Sequence, residues 1–162
     1  MSFIIRPAVD SDADSIHSLI CELAEFEKLL DQVESTPASI RESLFGDRPD
    51  AEAIVAESTE SQGIVGVALF FQNYSTFVGR FGIYLEDVYV RPEHRGSGIG
   101  KALLVRLAQI ARDRGCKRFE WAVLDWNENA INFYQRLGAN ILDDWRIVRL
   151  DADGIRALAN ES

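Results

Sequence analysis

Hydrophobic positions along the chain change period several times, and each change predicts an element. Phe3 to Arg6 is a short apolar-rich segment ended by Pro7, a first strand. Ser11 then offers a helix N-cap with Asp14 three residues on, and behind it Ile16, Leu19, Ile20, Leu23 and Leu30 recur at helical spacing. Thr36-Pro37 pairs a capping hydroxyl with proline at the first helical position, predicting a second helix to about Leu44. Three strands follow: Ala53 to Glu57, Ile64 to Phe71 and Tyr84 to Val90, the last two joined by an Asn73-to-Gly82 connection. Leu103, Leu104, Leu107 and Ile110 then share one side of a helix that stops near Arg114-Gly115. Phe119 to Val123 is a strand, Asn127 to Leu137 a short helix closed by Gly138, and Ile141 to Leu150 one or two final strands. No repeat interrupts this order. It predicts an α/β (or α+β) fold with a central mixed sheet flanked by helices.

At 162 residues the chain is long enough for one cored domain, expected over 1–162. Charge narrows the choice of partners. Lys and Arg total 17 against 26 Asp and Glu, a net charge of −9, the opposite of the basic footprint that neutralises nucleic-acid phosphates. An acidic surface concentrates cations instead. The longest apolar run, Ile64 to Phe71, is too short to span a bilayer, and the start at Met1 carries no secretory pattern. Cys21 and Cys116 form no Cys-x-x-Cys pair, so two free buried thiols in a reducing, cytoplasmic setting are expected.

The strongest local signal lies between a strand and a helix: Arg95-Gly96-Ser97-Gly98-Ile99-Gly100-Lys101. Glycines there let the backbone take positive φ and turn its amides inward, and a helix start adds its dipole, which together suit an anion. A Walker A loop would need Gly at 95 and Ser or Thr at 102, where Arg95 and Ala102 stand; the dinucleotide fingerprint would need Gly at 101, which is Lys101. Glycines alone read as a tight turn without ligand. Basic flanks in so acidic a chain point to phosphate.

The run Val90-Arg91-Pro92-Glu93-His94-Arg95-Gly96-Ser97-Gly98-Ile99-Gly100 resembles the pyrophosphate-binding motif of the GNAT N-acetyltransferases. Leu23 to Leu29, Tyr84 to Val90, Ala122 to Asn127 and Ile131 to Tyr134 are similar to the diamine acetyltransferase branch of that family. Phe26 and Val123-Leu124-Asp125-Trp126-Asn127 resemble its thialysine-acetylating members, Ile131 to Tyr134 its polyamine-acetylating ones, and the segment before Trp145 is shorter than in either. The resemblance implies one GNAT-type domain with a twisted mixed sheet. It also implies acetyl-CoA as co-substrate without a metal, a homodimer, and acetylation of a small cationic amine, thialysine- or lysine-like first and polyamine second. Attack is direct, in a ternary complex, since neither cysteine has a neighbouring base in the sequence.

Site residues divide by task. A primary amine must be neutral to attack, the carbonyl oxygen needs a donor, and the thiolate needs a proton. Glu86, set with Asp87 in an otherwise apolar strand, is the candidate base; both carboxylates also read as structural ion-pair members. The resemblance implies main-chain donors at Val88, Tyr89 and Val90, phosphate contacts at Arg95, Gly96, Ser97, Gly98, Ile99, Gly100 and Lys101, further coenzyme contacts at Asn127 and Ala130, and Tyr134 as the acid; from the residues alone Tyr134 reads as core packing. Phe26 and Glu27 would flank the amine, with Glu86, Asp87, Glu120 and Asp144 as further substrate contacts, although an acidic run is also a solvated helix face. His17 and His94 read as structural. Other readings remain open: a protein or peptide acetyltransferase of the same fold, a non-catalytic acyl-CoA sensor, and an amine-responsive interaction protein.

Overall fold

A computed structural model describes residues 2–161, so Met1 and Ser162, at the ends of the expected domain, lie outside the described residues. The described chain forms two compact units, residues 1–122 and 123–162 as divided by contacts. In the first, strands β1 (Phe3–Pro7), β2 (Glu52–Ser58), β3 (Ile64–Ser75), β4 (Arg80–Val90) and β5 (Phe119–Trp121) build one sheet in chain order. Neighbours are antiparallel through β4, and β5 joins β4 in parallel. Helices α1 (Ala13–Phe26) and α2 (Pro37–Phe45) precede β2, and α3 (Ile99–Asp113) crosses from β4 to β5. The second unit holds α4 (Glu128–Arg136) and α5 (Ala152–Ala159). Among the described residues no helix is long and apolar enough to cross a membrane.

The sheet buries both faces. Ile16 and Leu19 of α1 and Leu44 of α2 pack with Ala53, Val55, Val67 and Tyr89 on one face. On the other lie Ile54, Ala68, Phe70 and Leu85, with the buried stripe Ile99, Leu103, Leu104, Leu107 and Ala111 supplied by α3. Gly66 shows how close that helix comes. A Cβ there would stand 3.3 Å from Ile99 Cγ2 and 3.3 Å from the Tyr89 carbonyl.

Four local expectations are corrected. Ser11 is not the cap of α1: residues Asp10–Asp12 form a 3-10 turn and Asp12 is the N-cap residue. Its carboxylate turns back, accepting from Val9 N–H at 2.8 Å and from Arg6 Nη1 at 2.7 Å, because a buried charge needs those partners more than the helix needs a cap. Leu30 lies beyond α1. The helix stops at Phe26, where Lys28 takes φ 62 and the N–H groups of Lys28 and Leu29 close back on the carbonyls of Glu25 and Ala24, a Schellman stop that ends the helix before the apolar period does. The Asn73-to-Gly82 connection is mostly strand: β3 and β4 pair out to Ser75 and Arg80, and a tight turn with Gly79 at φ 62 joins them. Arg80 holds that end of the hairpin down, donating to the carbonyls of Arg114 and Gly115 at the end of α3. Finally, Ile141 to Leu150 forms no strand. Its ten side chains are exposed, and an alternating pattern becomes a strand only where a neighbouring edge takes its hydrogen bonds. The Thr36 cap is as expected, with Thr36 Oγ1 accepting from Ser39 N–H at 3.1 Å.

Arg6 ties the sheet to the start of α1, donating to Asp12 on one side and to Glu57 Oε2 at 2.7 Å on the other. Its guanidinium holds the Asp12 carboxyl below the usual carboxylate range. Asp12 therefore contributes stability above its unfolded pKa, and that contribution is lost as pH falls through the depressed folded value. Replacing Arg6 by Met is expected to cost about 2 kcal/mol at pH 7, because Asp12 stays buried without its cation. Thermal unfolding at pH 7 and at pH 3 checks this, with the deficit shrinking at the lower pH.

Candidate functional site

Strand β4 is shared unequally between its neighbours. β5 pairs with it only from Ile83 to Leu85, then ends, while β3 follows it to Val90. Beyond Leu85 one edge of β4 has separated from β5. The N–H of Arg91 donates to the Val65 carbonyl, so the alternation of an antiparallel ladder turns Tyr89 and Asp87 toward β3 and Val88 and Val90 toward the open edge. In agreement, the Val90 carbonyl accepts from a side chain, Arg95 Nε, at 2.8 Å. Two of the three expected main-chain donors thus face the opening. Tyr89 instead contributes its ring, which is buried on the α1 face.

The same strand carries a bulge. Leu69 pairs with Asp87 and Phe70 with Leu85, leaving Glu86 as an extra residue. A bulge resets the alternation of faces. Leu85 is buried against the α3 side, whereas Asp87 and Tyr89 face α1. Glu86 is exposed and Asp87 partly buried. Burial, then the nearby charges of Glu86 and Glu27, push the Asp87 carboxyl up to about 6. Burial also raises the pKa of Glu27, the residue that caps the C-terminal end of α1. Asp87 therefore feels two neighbouring carboxylates as well as its burial, an arrangement that favours binding an ammonium.

The glycine turn sits at the end of β4. Pro92–His94 form a 3-10 turn, Gly96 and Gly98 take φ 77 and 89, and Gly98 is the N-cap of α3 without a side-chain cap. A Cβ on Gly96 or Gly98 would meet nothing within 4 Å, so glycine is needed here for the left-handed backbone rather than for space. The first intrahelical bond is Ala102 N–H to the Gly98 carbonyl, leaving the earlier amides through Lys101 ahead of the ladder. Ser97 is spent on the turn itself, its hydroxyl donating to the His94 carbonyl at 2.6 Å. Ile99 is buried, and Gly100 and Lys101 begin the helix, Lys101 exposed. The turn thus fits a polyanion such as a diphosphate.

Arg95 lies within this turn over two aromatic rings, 5.5 Å from the Phe26 centroid and 5.3 Å from that of Tyr89. Each such contact is worth about 0.5–1 kcal/mol at an exposed site. Arg91 braces the neighbourhood from the other side, pairing with Glu22 of α1 at 3.1 Å. Glu22 and Tyr84 join this neighbourhood only in the folded chain. Glu22 sits one helical turn before Phe26 on α1, a spacing that was available. The Tyr84 phenol is raised by burial and by Glu86 and Glu120; it is opposite Glu120 in the β4–β5 ladder, and Glu120 accepts from Asn73 Nδ2 at 3.3 Å.

The remaining candidates belong to the second unit. Asn127 caps α4, accepting from Ala130 N–H at 3.3 Å. Tyr134 lies on α4, partly buried, its ring 5.7 Å from that of Phe133. Asp144 is exposed in the irregular stretch that follows α4. In the first unit His17 holds the segment before α2, its Nε2 2.7 Å from the Ser35 carbonyl; contrary to expectation Cys21 does have a base beside it, its Sγ 3.8 Å from the same nitrogen across one helical turn, and Cys21 and Cys116 form no disulfide and are partly buried.

Comparison with known proteins agrees with this geometry. Residues 16–139 match the acetyltransferase (GNAT) family. The chain is 41% identical to the thialysine N-epsilon-acetyltransferase of Sus scrofa, covering 99% of each chain, and 31% identical to an L-ornithine N5-acetyltransferase of Arabidopsis thaliana, covering 95% of this chain and 86% of that one. An integron cassette protein from the mobile metagenome of V. cholerae shares the fold at a TM-score of 0.81, with 22% identity and 99% of both chains covered.

An Asp87 carboxyl raised to about 6 has a defined consequence for stability. From its unfolded value of about 4 up to the folded one, the native state holds a proton that the unfolded chain has released, so stability falls as pH rises through this window. Asp87→Asn is expected to abolish that slope and to raise stability at pH 8 by about 2 kcal/mol. Urea unfolding at pH 4, 6 and 8 reads both effects; parallel curves for the two proteins would contradict them.

Proposed function

Because this chain belongs to the GNAT family of acetyltransferases, which use acetyl-CoA as co-substrate, we propose that it acetylates the primary amine of a small cationic substrate, a thialysine- or lysine-like amine ahead of a polyamine. The carrying observation is the juxtaposition on β4: an edge left by β5 after Leu85, the glycine turn at its end, and Glu86, Asp87 and Glu27 beside it. The names of the thialysine and ornithine relatives favour an amino acid with a side-chain amine.

In this reading the turn from Arg95 to Lys101 holds the diphosphate, and the family resemblance assigns further coenzyme contacts to Asn127 and Ala130. Val88 and Val90 offer N–H groups to the acetyl and pantetheine carbonyls. Glu86 and Asp87 bind the ammonium, and Glu86 takes its proton through water, freeing the nitrogen lone pair. That nitrogen bonds to the thioester carbon, the C–S bond breaks, and Tyr134 gives its phenolic proton to the departing sulfur. The second amine proton passes through water to the Tyr134 phenolate, so the products are an acetamide, the free thiol and one proton on Glu86, which solvent removes. Phe26, Glu27, Glu120 and Asp144 select the substrate. A thioether in place of a methylene withdraws electron density and lowers the amine pKa, which suits a carboxylate base.

The reading includes a homodimer and a cytoplasmic setting. For the dimer the support is the apolar surface of the second unit, where Trp145, Ile147 and Val148 are 77%, 74% and 94% exposed. Two unpaired thiols support the setting. Light scattering should give twice the chain mass, and Trp145→Asp with Val148→Asp should give the monomer.

Thiol release from acetyl-CoA, measured against thialysine, ornithine, spermidine and a lysine peptide, tests the activity. The amino acids are expected to give the highest kcat/KM. Acetyl-CoA binding without turnover on any amine would favour the sensor, and turnover on the peptide alone the protein acetyltransferase. Tyr134→Phe should lower kcat by roughly a hundredfold with acetyl-CoA affinity retained. Glu86→Gln should weaken amine binding and lower kcat/KM.

A further inference from the structure

The two rings that flank Arg95 come from different elements, Phe26 from the last turn of α1 and Tyr89 from β4. Two ring faces within about 6 Å of one guanidinium mark a slot that suits a cation, and the side chain now there belongs to the phosphate turn. The slot lies in a field of negative charge. Glu22 and Glu93 both act on the Tyr89 phenol, and Glu27 follows Phe26 directly. Glu22 is already neutralised by Arg91, so it anchors the slot without occupying it. Tyr89 stands two residues from Asp87 on the same face of β4, a separation of ~7 Å along a strand, which about four or five linking atoms between two nitrogens would span.

We propose that Phe26 and Tyr89 form a subsite for the second ammonium of the acceptor amine, and that Arg95 fills it until the diphosphate of the coenzyme draws the guanidinium away. The proposal rests on the coenzyme and substrate reading above and adds an order to it. Arg95 is a positioning residue with two alternative partners. Against the rings it has weak cation–π contacts and one neutral hydrogen bond, to the Val90 carbonyl. A diphosphate offers charge-assisted and paired hydrogen bonds, which are roughly twice as strong. Gly96, next in the chain at φ 77, has a backbone open enough to let the side chain re-aim. Loading the coenzyme thus vacates the slot, and the diamine binds the loaded protein better than the free one.

Calorimetric titration of thialysine into the full-length protein, with and without CoA, reads this directly. In the wild type CoA should raise thialysine affinity by about fivefold or more, and thialysine should raise CoA affinity by the same factor. In Arg95→Gln the slot is open from the start, so thialysine should bind the coenzyme-free protein at least about fivefold more tightly than it binds coenzyme-free wild type, with the coupling reduced to less than about twofold. Phe26→Leu, an exposed position, should act in the opposite direction, weakening thialysine binding to the CoA-loaded protein by about fivefold while CoA affinity holds. That variant carries the test alone if circular dichroism shows Arg95→Gln misfolded. Equal thialysine affinity for free and loaded wild type, full coupling in Arg95→Gln, or wild-type amine binding in Phe26→Leu would each overturn the proposal while leaving the coenzyme reading intact. Failure of CoA to bind the wild type, or of thialysine to bind the loaded form, would overturn the function as well.

Discussion

Everything at the candidate site depends on β4 having more length than β5 can pair. From Ile83 to Leu85 it is an ordinary inner strand, bonded to β3 on one side and β5 on the other. After Leu85 it keeps β3 and loses β5, and main-chain donors cannot be left buried without partners at acceptable cost. The strand can end this way only if those groups meet solvent or a ligand. The bulge at Glu86 falls at the same place. It increases local twist and turns the second half of the strand, so that the reversal of side-chain faces coincides with the end of the pairing with β5. Through it a carboxylate, Asp87, enters a face otherwise lined by Tyr89, Val67 and Leu69.

Electrostatics makes the second contribution. The chain is strongly acidic, yet two arginines stand within the turn after β4, at 91 and 95. Arg91 is committed to Glu22. Arg95 is held by rings and a carbonyl, and neither carries a formal charge. An arginine without a carboxylate among its principal contacts can exchange partners at low cost, whereas Arg6, locked between Asp12 and Glu57, cannot. The difference separates a side chain that stabilises the fold from one free to answer a ligand.

How much of this was legible in the sequence follows from the range of each signal. The glycine turn and α3 were legible because positive φ at Gly98 and the Leu103–Leu104–Leu107 stripe are fixed by residues close together in the chain. The cap at Thr36 was legible for the same reason. Glu86 and Asp87 were visible as carboxylates in an apolar strand, but not their division of exposure: simple alternation puts Asp87 on the side of Leu85, and only the pairing with β3 shows the extra residue. Arg95 could be assigned to phosphate from its neighbours, while its rings come from 69 and 6 positions earlier and leave no local trace. The stretch from Ile141 to Leu150 is the converse case, a strand-like pattern that no neighbour in its unit completes. Patterns specify what a segment can do. Partners decide whether it does so.

Asp87 also shows why a site of this kind costs the folded state something. A carboxyl raised to about 6 is ionised at neutral pH against the preference of its surroundings, and nothing in the packing of β3 and β4 requires a charge there. A leucine or asparagine would suit the sheet better. In the proposed reading the substrate ammonium offsets this cost, since binding a cation lowers the carboxyl pKa again and returns the lost stability to the complex. The same reasoning applies to the uncapped start of α3, whose orphan amides lack the serine or aspartate that usually closes a helix. Cation and polyanion are thus the two complements that suit adjacent parts of one strand and turn, and a reaction that moves an acyl group from a phosphate-bearing carrier to an amine supplies both at once.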